Sequence, residues 1–173
     1  MMLLVLTGCG RTRERQSFEQ WQQRLTAAEE IRCQAEITAS GEGEADTFSV
    51  RLCRRGEEIS AEVIEPETIR GVTFRKSARG EDLSFDGLIL AFSPAVEGTA
   101  PCAGGVTLLE TLTDGWLNDL GRAGEYRRAE LTAPGGETVG VWLTEDNEPV
   151  YAEICRGQSA ELILRLEHWE IKE

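Results

Sequence analysis

Ile31-Arg32-Cys33-Gln34-Ala35-Glu36-Ile37-Thr38-Ala39 alternates apolar and polar side chains, and Thr47-Phe48-Ser49-Val50-Arg51-Leu52-Cys53 and Ile59-Ser60-Ala61-Glu62-Val63-Ile64 do so again. A period of two is that of an extended chain, whose successive side chains point to opposite faces. Ser40-Gly41-Glu42-Gly43-Glu44 and Arg54-Arg55-Gly56-Glu57 separate the three runs. Short Gly-containing connections between alternating runs predict an antiparallel meander.

Toward the C-terminus, Glu65 to Gly71 interrupts the alternation and Val72–Lys76 resumes it. Leu83-Ser84-Phe85 and Leu88–Phe92 flank Asp86-Gly87, the residue pair favoured in a type I′ hairpin. Ser93 to Gly105 carries two Pro and three Gly and predicts a long loop. Val106, Leu109, Leu112 and Leu117 then predict a second helix, to about Asn118. Tyr126–Leu131, Thr138–Leu143, Val150–Cys155 and Ala160–Trp169 predict four further strands. Toward the N-terminus, Ser17-Phe18-Glu19-Gln20 has capping-box spacing. Phe18, Trp21, Leu25 and Ala28 follow as one stripe of a helix to about Glu30. The expected fold is therefore mainly β (α+β), a curved antiparallel half-barrel of about ten strands. An N-terminal helix and a mid-chain helix pack in or over its concave face. Two short helices cannot cover ten strands as a flat layer, so the sheet must wrap around them.

The 173 residues suit one domain, and 40% hydrophobic content is ample for a core. With 18 Lys and Arg against 31 Asp and Glu, the chain carries −13. That charge repels phosphate backbones, so nucleic acid is not an expected partner. One His and no paired Cys motif give no metal site, and no cofactor is implied. His168 extends the Leu162-Leu164-Leu166 face and reads as a histidine at the edge of the core. No nucleophile elbow accompanies it, so no enzyme is expected. Glu42, Glu44 and Asp46, and Glu145 to Glu148, read as solvated turns rather than calcium loops.

The first eight residues carry no charged side chain, and Met1 to Leu6 is far too short to span a bilayer. It reads as the remnant of a signal peptide over 1–8. The likeness of Leu6-Thr7-Gly8-Cys9 to a bacterial lipobox implies a lipidated Cys9 with a polar tether over 9–16, and 17–173 as the domain. The implied location is the extracytoplasmic face of a cell membrane, held by the N-terminal lipid. Cys33, Cys53, Cys102 and Cys155 remain, an even number in a compartment that permits disulfides. Their pairing is open among three arrangements, and four buried free thiols are the equal alternative, since Cys is often buried in any case. Alternation puts Cys33 and Cys53 on opposite faces, which argues against joining those two.

A binding cavity between sheet and helices would need a concave apolar wall and no catalytic side chain. The strand candidates are Phe48, Val50, Leu52, Val63, Phe85, Leu90, Phe92, Leu143 and Leu164, with Trp21, Leu109, Leu112 and Trp116 closing the cavity from the helices. Alternation signals burial, and a filled interior alternates as well as a hollow one.

Leu6-Thr7-Gly8-Cys9 resembles a bacterial lipobox, whose Cys is lipidated after cleavage. Glu65-Pro66-Glu67-Thr68-Ile69-Arg70-Gly71-Val72-Thr73-Phe74, Phe85-Asp86-Gly87-Leu88 and the order of elements resemble the LolA/LolB-like lipoprotein-carrier superfamily. The likeness runs from about Ser17 to Lys172. It is closest in kind to small lipid-anchored Firmicutes proteins, including a germination lipoprotein of spore formers. The resemblance implies an incomplete barrel plugged by helices, with an acyl chain or a lipoprotein client as its cargo. It equally allows a structural or interaction protein of the cell or spore envelope.

Overall fold

The computed structural model describes residues 9–39, 46–91, 100–156 and 159–173. The three opening runs become β1 (Glu30–Ala39), β2 (Asp46–Arg55) and β3 (Glu58–Glu65). A 3₁₀ turn at Glu67–Ile69 leads to β4 (Thr73–Ser77), β5 (Gly80–Phe85) and β6 (Leu88–Ala91). Asp86 and Gly87 have φ of 49° and 79°, the left-handed pair that a type I′ turn requires. After the helix α2 (Ala100–Asp114) come β7 (Trp116–Ala123), β8 (Tyr126–Thr132), β9 (Thr138–Leu143), β10 (Pro149–Arg156) and β11 (Ser159–Lys172). The helix α1 (Cys9–Ala27) precedes them all.

All strands among the described residues form one antiparallel sheet of 11, ordered β6-β5-β4-β3-β2-β1-β11-β10-β9-β8-β7. It is two meanders joined edge to edge by the pairing of β1 with β11, and it does not close. This is an open half-barrel. Buried side chains alternate along β8 and most of β1 and β3, and from Val50 to Arg54 in β2, which leaves one covered face and one solvated face. The solvated face carries charged and aromatic ladders. Arg128 lies 5.1 Å over the Trp142 ring, and Trp142 meets Tyr151 edge-on at 4.9 Å.

Helix α2 carries the chain from β6, at one edge, to β7, at the other. Its 15 residues are about 22 Å long, whereas eleven strands laid flat would span about 48 Å. Curvature reconciles the two lengths: α2 touches β1, β2, β3, β4, β10 and β11 as well as α1.

Four expectations are corrected. Helix α1 does not start at Ser17 but at Cys9, so the stretch read as a tether is helical from Cys9 onward. Arg15 supports the extension, bonding Glu19 at 3.1 Å and the Leu117 carbonyl at 2.9 Å. Helix α2 starts within the expected loop and ends at Asp114, where the Gly115 N–H donates to Thr111 O at 2.9 Å. Trp116 and Leu117, expected on that helix, open β7 and pair with Thr132 and Leu131 of β8. His168, with φ of 54°, sits in a β-bulge opposite Cys33, which turns it out of the Leu162-Leu164-Leu166 face into solvent.

Candidate apolar-ligand site

The inner face brings most of the apolar candidates together. Val50, Leu52, Leu143 and Leu164 on the strands meet Leu109 and Leu112 of α2, all wholly inaccessible to solvent, with Val63 nearly so. Trp21 of α1 is buried and packs at a tilt against Phe18, with ring centroids 5.4 Å apart. Phe48 is partly buried against the same cluster. Zero accessibility means that no water-sized space touches these side chains. Helix α2 packs into the half-barrel that it crosses, against these side chains.

Two glycines set how deeply it sits. A Cβ on Gly104 would lie 2.2 Å from Leu162 Cδ1, and one on Gly105 would lie 2.5 Å from Leu52 Cδ2. A side chain at either position would force the facing leucine or the helix itself to shift.

Directional bonds hold the other end of α2. Lys76 on β4 reaches Glu110 at 2.7 Å. Thr26 of α1 donates to Thr113 O at 2.8 Å, and Gln22 to Gly115 O at 2.9 Å. Gln22, Gln23, Thr26, Ala27, Thr113, Asp114 and Gly115 line a groove of about 350 Å³ at this junction. Its walls combine the amides of Gln22 and Gln23, the hydroxyls of Thr26 and Thr113 and the Asp114 carboxylate with the apolar parts of the same residues and Ala27.

Two candidates lie outside the cluster. Phe85 is 47% exposed at the β5–β6 turn, where the sheet runs past its cover. Trp116 is 64% exposed, because Leu117 takes the inward position at the start of β7. Phe92, the segment Leu6-Thr7-Gly8 and the side chains of Leu90 and Cys9 lie outside what is described.

Cys33, Cys53, Cys102 and Cys155 are free thiols in this structure, one of the two arrangements that their number allowed. Cys33 pairs across β1–β2 with Leu52, while Cys53 faces Arg32, on the opposite side of the sheet. Burial pushes Cys33 up to about 12 and Cys102 up to about 11. Cys53 is also raised, first by burial and then by its bond to Glu30 at 3.6 Å.

Two buried arginines were not foreseen. Arg54 shares the parity of Val50 and Leu52 and so points inward, where it donates to Leu25 O at 3.1 Å and Thr26 O at 3.2 Å. These carbonyls end α1, and a cation there satisfies them and the helix dipole together. Arg127 likewise donates to Thr144 O, Glu145 O and Asn147 Oδ1, fixing the β9–β10 turn. An arginine in phase with apolar neighbours was the available signal.

No protein-family model and no curated protein matches this sequence. Solved structures do. A LolA superfamily protein from Nitrosomonas europaea aligns with a TM-score of 0.54 at 11% identity, covering 92% of this chain and 93% of that one. A domain from Vibrio parahaemolyticus described as an outer-membrane lipoprotein-sorting protein aligns at 0.52 and 12% identity, covering 91% and 92%. The fold is LolA-like. A DUF1329-family protein from Desulfovibrio piger shares it, with a TM-score of 0.52 at 9% identity over 91% of this chain and 92% of that one. At such identities the likeness concerns architecture, and the LolA-like half-barrel of this chain has its own helix seated in the concavity. No helix among the described residues is long and apolar enough to cross a membrane.

Proposed function

We propose that the protein is a lipoprotein anchored through Cys9 at the extracytoplasmic face of a membrane, where it binds an apolar ligand or a lipidated client. The binding space is the concavity that α2 now fills. The observation that carries this reading is the footing of α2 on Gly104 and Gly105 against Leu162 and Leu52. That end of the helix rests on apolar contact, which an acyl chain can replace at about 0.8 kcal/mol per buried CH₂. The bonds of Glu110, Thr113 and Gly115 at the other end suit a hinge about which the helix swings outward. The role is non-catalytic: the site works by burying apolar surface.

Native mass spectrometry of the full chain purified from its membrane tests the reading. A diacylglyceryl or larger mass increment on Cys9 and a second, non-covalent lipid are expected. Protein that carries neither the adduct nor a bound lipid, and takes up no fluorescent fatty acid, would overturn it. Fractionation of a Cys9→Ala variant separates anchoring from binding, since only the former should be lost.

A second reading has support of its own. With the inner-face side chains wholly buried, the same scaffold serves as a filled structural module that holds a partner in the cell or spore envelope. Its mark would be a protein partner captured by crosslinking in place of a lipid.

A further inference from the structure

The inner face of β4 and β5 is apolar and covered as far as Phe74 and Leu83, which pack with the core. Beyond them the β5–β6 hairpin continues and the cover stops. Phe85 and Leu88 are cross-strand partners on that inner side, 47% and 70% exposed. Ile89 pairs with Ser84 on the opposite side and is 70% exposed as well. The tip is thus apolar on both faces. A strand that merely edges a sheet would show solvent a polar face, and solvated apolar groups on both sides gain nothing in water.

We propose that this hairpin tip inserts Phe85, Leu88 and Ile89 into the interfacial layer of a lipid bilayer. Two observations select that occupant. Three side chains offer a few hundred Å² at most, short of the roughly 800 Å² per partner that a stable dimer or protein complex buries. Between Ser84 and Ala91 the only charged residue is Asp86, so nothing in the tip grips an anionic headgroup. Beside Ile89, Arg55, Arg75 and Arg79 are offset by Glu57, Glu58, Glu81 and Asp82 in the same shallow groove. Contact by apolar insertion alone is insensitive to salt, unlike a basic patch. The tip lies on the chain far from Cys9 and would fix how an anchored half-barrel leans on its membrane. The inference deepens the membrane reading above, and the contact itself needs neither the anchor nor a filled cavity.

The test uses the full chain as a non-acylated Cys9→Ser protein, floated with phosphatidylcholine vesicles. Flotation is expected, with no loss from low to high salt. Replacing Leu88→Ser and Ile89→Ser together should cut the bound fraction by about tenfold or more while leaving the melting curve unchanged. Trp116→Ser, at the other edge of the sheet, should float like the parent. Leu88→Trp keeps the tip apolar, and its emission should be quenched by brominated phosphatidylcholine. Absence of flotation by the parent, equal flotation by the double variant, or no quenching of Leu88→Trp would overturn the proposal. So would a concentration-dependent dimer that the double variant abolishes. Loss of Cys9 acylation in cells would instead strike the anchoring reading and leave this one standing.

Discussion

Arg54 and Leu25 meet at 3.1 Å, guanidinium to carbonyl, where α1 ends against the inner face of β2. The bond ties the N-terminal helix to the sheet through a residue 29 positions along the chain. Arg54→Met keeps the apolar stem and removes the donors, leaving Leu25 O and Thr26 O without them. A loss of about 1.5–3 kcal/mol is expected in urea unfolding, the range for bonds to a charged group.

Gly105 is a packing residue as much as a flexible one. Gly105→Ala places its methyl against Leu52, which is wholly buried, and should cost about 1–3 kcal/mol by overpacking. Pairing it with Leu52→Ala should restore part of that loss. A double-mutant cycle measures the coupling, and strict additivity would show that α2 shifts freely on the sheet.

The thiols should differ in reactivity. With Cys33 near 12 and Cys102 near 11, the thiolate at pH 8 is about one part in ten thousand and one in a thousand. Iodoacetamide should therefore alkylate Cys53 and Cys155, both partly exposed, well before Cys33 and Cys102. Peptide mapping of a Cys9→Ser chain reads the order, and denaturant should erase it.

Glu30 gives a pH dependence whose sign is fixed. Arg55 bonds its carboxylate at 2.9 Å and Arg32 at 2.8 Å. The Arg55 bond, outweighing burial and joined by Arg32, holds the group below its ordinary 4.5. A carboxylate lowered on folding stabilises the protein above its unfolded value, and that share is lost as pH falls through the folded one. Glu30→Gln should thus be less stable than the parent at pH 7, and the difference should shrink below pH 4.5. A constant difference across that window would contradict the assignment.

The strands could be read from the sequence because their signal is local. Ile31, Cys33, Ala35 and Ile37 alternate whatever the rest of the chain does, and the opposite facing of Cys33 and Cys53 follows from counting. Helix ends depend on distant partners and were misread. Ser17 has the spacing of a cap, yet α1 continues upstream, where Arg15 reaches Leu117, 102 residues away. Leu117 happens to fall in phase with Val106, Leu109 and Leu112, but the chain turns at Gly115 and Trp116 finds Thr132. The apolar candidates Val50, Leu52, Leu109 and Leu112 do share one interior. Whether that interior is open was beyond any alternation pattern, since the filling follows from how near Gly104 and Gly105 let α2 come.

The pairing of β1 with β11 places Glu30 opposite Lys172 at the centre of the sheet. The seam between the two meanders therefore cannot form until the chain has been delivered as far as its last strand. Until then β1 and the β10–β9–β8–β7 half each present an open edge, with the apolar faces of both halves uncovered. Folding should be governed by this late closure, which makes slow, high-contact-order kinetics the expectation. A polypeptide threaded across a membrane from its N-terminus would spend that interval half-built, in need of a holding factor or of the lipid surface itself.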